Sequence, residues 1–374
     1  MNGKKKPEDY LNLKIQKFEP YSINENITDI EIHLDANESF ADLPEYIKED
    51  ILKNVKNINS FNRYPDPAAK ELIKEYAKYL KISENAEIDI KNIAAGNGTD
   101  ELLNIIINGF LSKGDKILTF KPDFSMYAFY ADVIEANVLK VQKEGSNGFA
   151  IDFTEMEEKI KRENIKLVVF SNPCNPTGRL EKKKVLEKFI KNSDIPVILD
   201  EVYMSFANEK EKQSFLYDFL KYPNLIILKS LSKAVGLASA RVGFALSNEV
   251  FINMIKTIKS PYNLNSISQI TAKTVLNYPD HLKIRLSEIK NNKKNLEEEI
   301  KKLFGDDKEY KIYDTDTNFI LIETKKAKEI FGFLFENKIL IRNFGENFLR
   351  ITTGSREENG RLLSCLKKFL QGDS

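Results

Sequence analysis

Lys233 stands inside the segment Leu225 to Ser247, LIILKSLSKAVGLASARVGFALS. An apolar run, Leu225 to Leu228, enters a turn of small residues holding Ser230, Ser232 and the lysine. Arg241 follows eight positions later, ahead of a second apolar run. A lysine among hydroxyls and small side chains, with an arginine just beyond, suits Schiff-base chemistry. The amine would form the linkage with an aldehyde cofactor, and the hydroxyls and guanidinium would hold that cofactor's phosphate.

Three other strings carry chemistry. Gly96-Asn97-Gly98-Thr99-Asp100-Glu101 is a glycine turn opening a helix. Such a turn lets the backbone approach a ligand, and a helix start offers free N–H groups to a phosphate; Thr99 or Asp100 would serve equally as a plain N-cap. Asn172-Pro173-Cys174-Asn175-Pro176-Thr177-Gly178 follows a strand. Its two Asn-Pro steps force a turn and fix the asparagine side chains, and Cys174 reads as a turn residue, not a nucleophile. Val197 to Tyr203, VILDEVY, is a buried strand ending in charge. An unpaired buried carboxylate is costly, so Asp200 needs a cationic partner. A structural salt bridge would supply one, and so would a protonated pyridine nitrogen, with Tyr203 and Asn175 at the ring oxygen.

The elements that must position these residues follow from patterning. From 93 to 247 the chain alternates strand, turn and helix. Strands are expected at Ile93 to Gly98, Lys116 to Phe120, Leu139 to Gln142, Leu167 to Ser171, Val197 to Leu199 and Leu225 to Leu228, with helices at Thr99 to Leu111 and Phe124 to Ala136. This alternation predicts an α/β fold, a mostly parallel sheet with helices on both faces. Ligands in such sheets lie beyond the carboxyl ends of the strands, where all four strings fall. Helices are predicted over 44–57 and 68–81, with a rigid proline-bracketed loop, Phe61 to Pro67, between them. Residues 249–303 read as charged helix and connector. After about 310 the texture is that of a small α/β unit, with strands at Asn318 to Ile322, Ile339 to Arg342 and Phe348 to Thr352.

The four strings occur in one order, and together they resemble the class I/II aminotransferases of fold type I, which bind pyridoxal 5'-phosphate (PLP), over essentially the whole chain. A finer resemblance, to the histidinol-phosphate aminotransferases, rests on Pro20-Tyr21, Leu34 to Glu38 (LDANE), Arg63 to Asp66 (RYPD), Gly96 to Glu101, Ser230 to Gly243, Pro261 to Asn265 and Leu349 to Gly354. It implies a large αβα sandwich domain over 58–280, a smaller α/β domain over 281–374 and an N-terminal segment, 1–57, packing with the small domain. It makes Lys233 the Schiff-base lysine and proton carrier, and puts Asp200 at the ring nitrogen with Asn175 and Tyr203 at the ring oxygen. Thr99, Asp100, Ser230, Ser232 and Arg241 would hold the cofactor phosphate, and Phe124 would stack on the ring. Tyr64 would reach the phosphate of a neighbouring subunit's cofactor, which implies a homodimer. Arg350 would clamp a substrate carboxylate and Arg342 a substrate phosphate; Tyr21 and Asn37 would line the entrance. Two departures bear on the substrate. Phe124 stands where the family more often has tyrosine, and Ser205 where it often has an acid.

The implied reaction moves an amino group from histidinol phosphate to 2-oxoglutarate in a ping-pong cycle. The same scaffold also carries threonine-phosphate decarboxylases and aromatic amino-acid aminotransferases. Ala234-Val235-Gly236-Leu237 favours the aminotransferases over the decarboxylases. A non-catalytic PLP-binding regulator would need an added DNA-binding segment, for which 374 residues leave no room. The 42% apolar and 30% charged composition is that of a globular protein. A net charge of +1 gives no field for nucleic acid or membrane. Two cysteines far apart fit a reducing cytoplasm without disulfides. With two histidines besides, they make a His/Cys metal site an unpromising reading. No signal peptide and no bilayer-long apolar run stand out.

Overall fold

The computed structural model describes residues 6–12, 14, 18, 29–58, 61–305 and 307–372. Pro20 and Tyr21 lie outside them. Strand β1 (Ile32–Leu34) precedes helices α1 (Glu45–Lys56) and α2 (Lys70–Ser83). The strands β2 (Ile93–Gly96), β3 (Lys116–Lys121), β4 (Asn137–Gln142), β5 (Leu167–Ser171), β6 (Val197–Asp200), β7 (Leu225–Ser230) and β8 (Gly243–Leu246) form one sheet in the order β2-β8-β7-β6-β5-β3-β4. β4, β3, β5, β6 and β7 run parallel, while β8 is antiparallel to both β7 and β2.

Every residue of β5 and β6 is buried, because helices cover both faces and each face needs apolar side chains. Successive residues divide between two cores. Leu118, Val168, Leu199 and Ile227 pack on one side; Ile117, Val169, Ile198 and Ile226 pack on the other against α3 (Gly98–Phe110). Along the same stretch run α4 (Met126–Val133), α5 (Phe153–Glu163), α6 (Lys183–Asn192) and the short α7 (Lys210–Gln213).

Residues 249–303 are helical, as three helices: α8 (Glu249–Ile258), α9 (Ser266–Leu276) and the long connecting α10 (Pro279–Phe304). Asn248 and Asn265 cap the first two with their side chains, and Pro279 opens the third, where a missing N–H costs nothing. A second sheet, ordered β1-β11-β12-β10-β9, is built from β9 (Lys311–Tyr313), β10 (Phe319–Glu323), β11 (Ile339–Phe344) and β12 (Phe348–Thr352), with α11 (Ala327–Glu336) and α12 (Arg356–Gln371). β9 escapes a reading by pattern because three residues at a sheet edge carry no period.

The expected N-terminal segment is divided. β1 pairs in parallel with β11 and so belongs to the small sheet. Ile47 of α1, however, joins the large core with Leu72, Ile73 and Tyr76, because the apolar stripe Leu43, Ile47, Ile51 faces the large body. The boundary expected at 280/281 falls in the first turn of α10. That helix spans both bodies: Leu282 packs in the large core, and Leu296, Ile300 and Phe304 in the small one.

Candidate active site

Parallel strands bring their carboxyl ends to one edge, so the turns after β2, β3, β5, β6 and β7 open side by side. β8 runs the other way, and its amino end lies at that same edge, which is how Arg241 comes to join residues that follow the other strands. Gly243 pairs with Gly96 on one side and Ser230 on the other. A Cβ at Gly243 would stand 2.6 Å from the Thr99 nitrogen, and one at Gly98 (φ +81°) would stand 2.6 Å from Arg241 Nη2. These glycines let the start of α3, the β7 turn and Arg241 close around one small space. Asp100 Oδ2 accepts from Arg241 Nη2 at 3.3 Å, and the Ser232 N–H donates to Ser230 Oγ at 3.1 Å. The first N–H groups of a helix lack intrahelical partners. Together with Thr99, the serines and Arg241, they are donors that could hold a phosphate. Asp100 serves it by orienting Arg241; its own carboxylate would repel an anion.

The other half of the site holds the remaining predicted residues. Asp200 ends β6, is buried, and accepts from Tyr127 Oη at 2.8 Å and from the Val202 N–H at 3.1 Å. It has no cationic partner among the described residues. Burial pushes its carboxyl up to about 7, against the pull of those two hydrogen bonds. Tyr203 accepts in a buried cluster reached from the small sheet: Asn37 Nδ2 donates to its oxygen at 2.8 Å. Burial raises the Tyr203 phenol to about 12, with Arg350 pulling it back. Asn37, at φ +54°, is locked by Thr352 through both its N–H and its side chain. Asn175 Oδ1 accepts from Arg350 Nη1 at 2.6 Å, and Arg350 also donates to the Asp35 carbonyl.

Lys233 lies between the two halves, half-buried, with Nζ donating to the Ala36 carbonyl at 2.8 Å. Burial, with the cations of Arg350 and Arg241, brings its amine down to about 8. Arg342 and Arg350 stand directly opposite each other on β11 and β12, so both guanidiniums leave the same face of the small sheet. Arg350 is buried over the rings of Phe319 and Phe344; Arg342 is half-buried over Phe344. Phe124 is half-buried, edge-on to Tyr127 with ring centroids 5.5 Å apart. Tyr64 stands apart from this group. It is 80% exposed and stacks on Tyr262, centroids 4.4 Å apart. Tyr21 lies outside the described residues.

Sequence reasoning missed Tyr127, the hydroxyl on Asp200, although it follows Phe124 at the three-residue spacing of a helical turn. It also missed the buried pair Asp123 and Lys143, which lie just past the ends of β3 and β4. Only the pairing of those strands, Lys121 against Gln142, brings them together. Cys174 is buried, and burial first of all raises its thiol, which agrees with a turn residue and not a nucleophile.

The sequence model of the family "Aminotransferase class I and II" matches residues 29–366. A histidinol-phosphate aminotransferase of Clostridium kluyveri is 38% identical over 368 residues, covering 97% of this chain and 99% of the relative. That of Clostridium novyi is 38% identical over 357 residues, covering 94% and 95%. The crystal structure of histidinol-phosphate aminotransferase from Sinorhizobium meliloti in complex with pyridoxal-5'-phosphate superposes with a TM-score of 0.85 at 23% identity, covering 98% of each chain, and shows a common fold. The lysine, the donors around Arg241 and the uncompensated buried carboxylate of this edge thus sit in a protein that belongs to the class I and II aminotransferases.

Proposed function

We propose that this chain is a PLP-dependent histidinol-phosphate aminotransferase, moving the amino group of L-histidinol phosphate to 2-oxoglutarate. The observation that carries the cofactor assignment is Asp200. It is a buried carboxylate with no cation among the described residues, at the same sheet edge as a lysine whose amine is shifted toward its neutral form. A protonated pyridine nitrogen is the partner that would make its burial tolerable. PLP supplies an electron sink for the pair left behind when a substrate C–H bond breaks.

Each residue then has a task. Lys233 would bind the cofactor through Nζ and would hold and return the substrate proton at that atom; an amine near pKa 8 is poised for both. Asp200 keeps the ring nitrogen protonated. Asn175 and Tyr203 hold the ring oxygen, and Phe124 covers a ring face. Thr99, Ser230, Ser232, Arg241 and the backbone around Asp100 hold the phosphate. Arg350 and Arg342 face the substrate, and a guanidinium fits carboxylate and phosphate alike. One pair can thus serve glutamate and a phosphorylated amine in turn, with Arg342 the phosphate-binding member. Asn37, expected at the entrance, is instead buried against Tyr203 and would hold that phenol in place. The two relatives at 38% identity support this substrate over threonine phosphate or an aromatic amino acid.

The partners are small molecules and a second copy of the chain. The exposed stack of Tyr64 on Tyr262 supports a homodimer in which Tyr64 completes the neighbouring phosphate site. Two buried free cysteines support a cytoplasmic setting. No helix among the described residues is long and apolar enough to cross a membrane.

The test is the absorption spectrum of the cofactor-loaded protein during separate additions of L-glutamate, L-histidinol phosphate and L-threonine phosphate. Conversion to the amine form of the cofactor by the first two is expected. Carbon dioxide release from the third without that conversion would replace the assignment by a decarboxylase. Lys233→Ala should show neither turnover nor the absorbance of a lysine-bound cofactor; normal turnover in that variant would sink the whole reading.

A further inference from the structure

Two proposed ring contacts, Phe124 and Asn175, come from different strands, yet they meet at one buried ion pair. Asp123 and Lys143 lie 3.3 Å apart with side chains 1% and 2% exposed. Asp123 Oδ1 accepts the Phe124 N–H at 2.8 Å and the Ser171 hydroxyl at 2.5 Å. Ser171 Oγ in turn accepts the Asn175 N–H at 3.1 Å. One carboxylate oxygen therefore fixes the backbone of the stacking residue directly and that of the ring-oxygen asparagine through one hydroxyl. Lys143 Nζ holds the other oxygen and donates to Cys174 Sγ at 3.0 Å, immediately before Asn175. Burial works against the Lys143 charge, but Asp123 and Cys174 outweigh it and leave the ammonium more firmly protonated than usual.

A buried ion pair contributes little net stability compared with apolar side chains of the same volume. What it provides is direction, since both ends must keep their hydrogen-bond geometry. We infer that Asp123 and Lys143 are positioning residues that hold Phe124 and Asn175 at a fixed spacing, so that the cofactor ring is gripped between them. The inference rests on the PLP reading above and adds to it a residue pair that touches neither cofactor nor substrate.

The experiment measures three quantities on the full chain: melting temperature, the dissociation constant of pyridoxine 5'-phosphate, and the visible circular dichroism of bound PLP. Pyridoxine 5'-phosphate has no aldehyde and cannot link to Lys233, so it reports the ring and phosphate contacts alone. In the double variant Asp123→Leu, Lys143→Met, no unpaired charge is left, but the Ser171 hydroxyl and the Phe124 N–H lose their acceptor, and a folded protein with a modestly lower melting temperature is expected. Its affinity for pyridoxine 5'-phosphate should nonetheless fall roughly ten- to hundredfold, the scale of hydrogen bonds to a charged group, with a weakened or inverted dichroic band. A folded double variant with unchanged affinity and dichroism would make the pair merely structural and overturn the inference. If the double variant does not fold, Ser171→Ala carries the test. It removes only the link to Asn175 and should weaken affinity about tenfold; an unchanged constant and band would overturn the inference equally. Failure of the unmodified chain to bind either compound would instead overturn the PLP reading itself.

Discussion

Asp123 and Asp200 are both buried carboxylates at the carboxyl edge of one sheet, separated by the single strand β5, and they are treated oppositely. Asp123 has an ammonium at 3.3 Å and two further donors. Asp200 has a phenol and one backbone N–H, and no cation among the described residues. A satisfied buried carboxylate can act only through the groups it positions; one left without its cation marks where a cationic ligand group belongs. The depressed amine of Lys233 points the same way, because the site as a whole favours groups that exchange protons near neutrality.

The largest effect should come from neutralising the unsatisfied carboxylate. Asp200→Asn removes the charge that would hold the ring nitrogen protonated. Breaking a buried pair costs about 3–5 kcal/mol, and in a transition state that is roughly two to four powers of ten in kcat. A loss smaller than tenfold would mean that Asp200 is no more a ligand-facing group than Asp123.

A second effect concerns stability and has a definite sign. In protein stripped of cofactor, the Asp200 carboxyl is raised to about 7 from an ordinary 3.8. Between those values the folded state binds a proton that the unfolded state does not, so this contribution is full below about pH 4 and is lost as pH rises toward 7. The amount is on the order of 4 kcal/mol. Thermal melts of the stripped protein between pH 4.5 and 7.5 should show it. The slope should shrink when PLP is added, since a pyridinium partner stabilises the ionised form, and Asp200→Asn should abolish this part of it. A stripped protein that grows steadily more stable toward pH 7.5 would contradict the assignment.

The contrast also shows what a chain of this kind reveals before it is folded. Lys233, Asn175, Asp200 and Arg241 were legible because each lies in a short string whose chemistry is local: a turn, a strand end, a helix start. The parallel sheet was legible from alternation, since fully buried strands leave unbroken apolar runs such as Leu225 to Leu228. Asp123 and Lys143 were not, because each looks like an ordinary surface charge until β3 and β4 pair. The burial of Arg350 and the bond from Asn37 to Tyr203 were hidden for the same reason. They join the small sheet to the large one, over separations of 175 and 166 residues, and no local pattern encodes a contact between two bodies. The fate of the N-terminal segment turned on similar information: β1 and α1 each carry an apolar stripe, but nothing in either stripe says which core it fills.

The smallest effect is expected at Tyr127, whose hydroxyl donates to Asp200 at 2.8 Å from a fully buried ring. Tyr127→Phe keeps the ring and its packing and removes one donor, so no buried hydroxyl is stranded and the melting temperature of the cofactor-loaded protein should barely move. Asp200, however, loses one of the two hydrogen bonds that hold its carboxyl down. In the stripped protein the pH at which stability falls should therefore move upward. In the loaded enzyme Asp200 should become a stronger base toward the ring nitrogen and a less firmly oriented one. Loss of orientation opposes the gain in basicity, and one hydrogen bond to a charged acceptor sets the scale at about 1.5–3 kcal/mol before that offset. A fall in kcat of about tenfold is expected, far short of Asp200→Asn. If Tyr127→Phe matched Asp200→Asn in kcat, Tyr127 would be acting on the reacting groups themselves; if it shifted neither kcat nor the pH of the stability loss, the hydroxyl would contribute nothing to the state of Asp200.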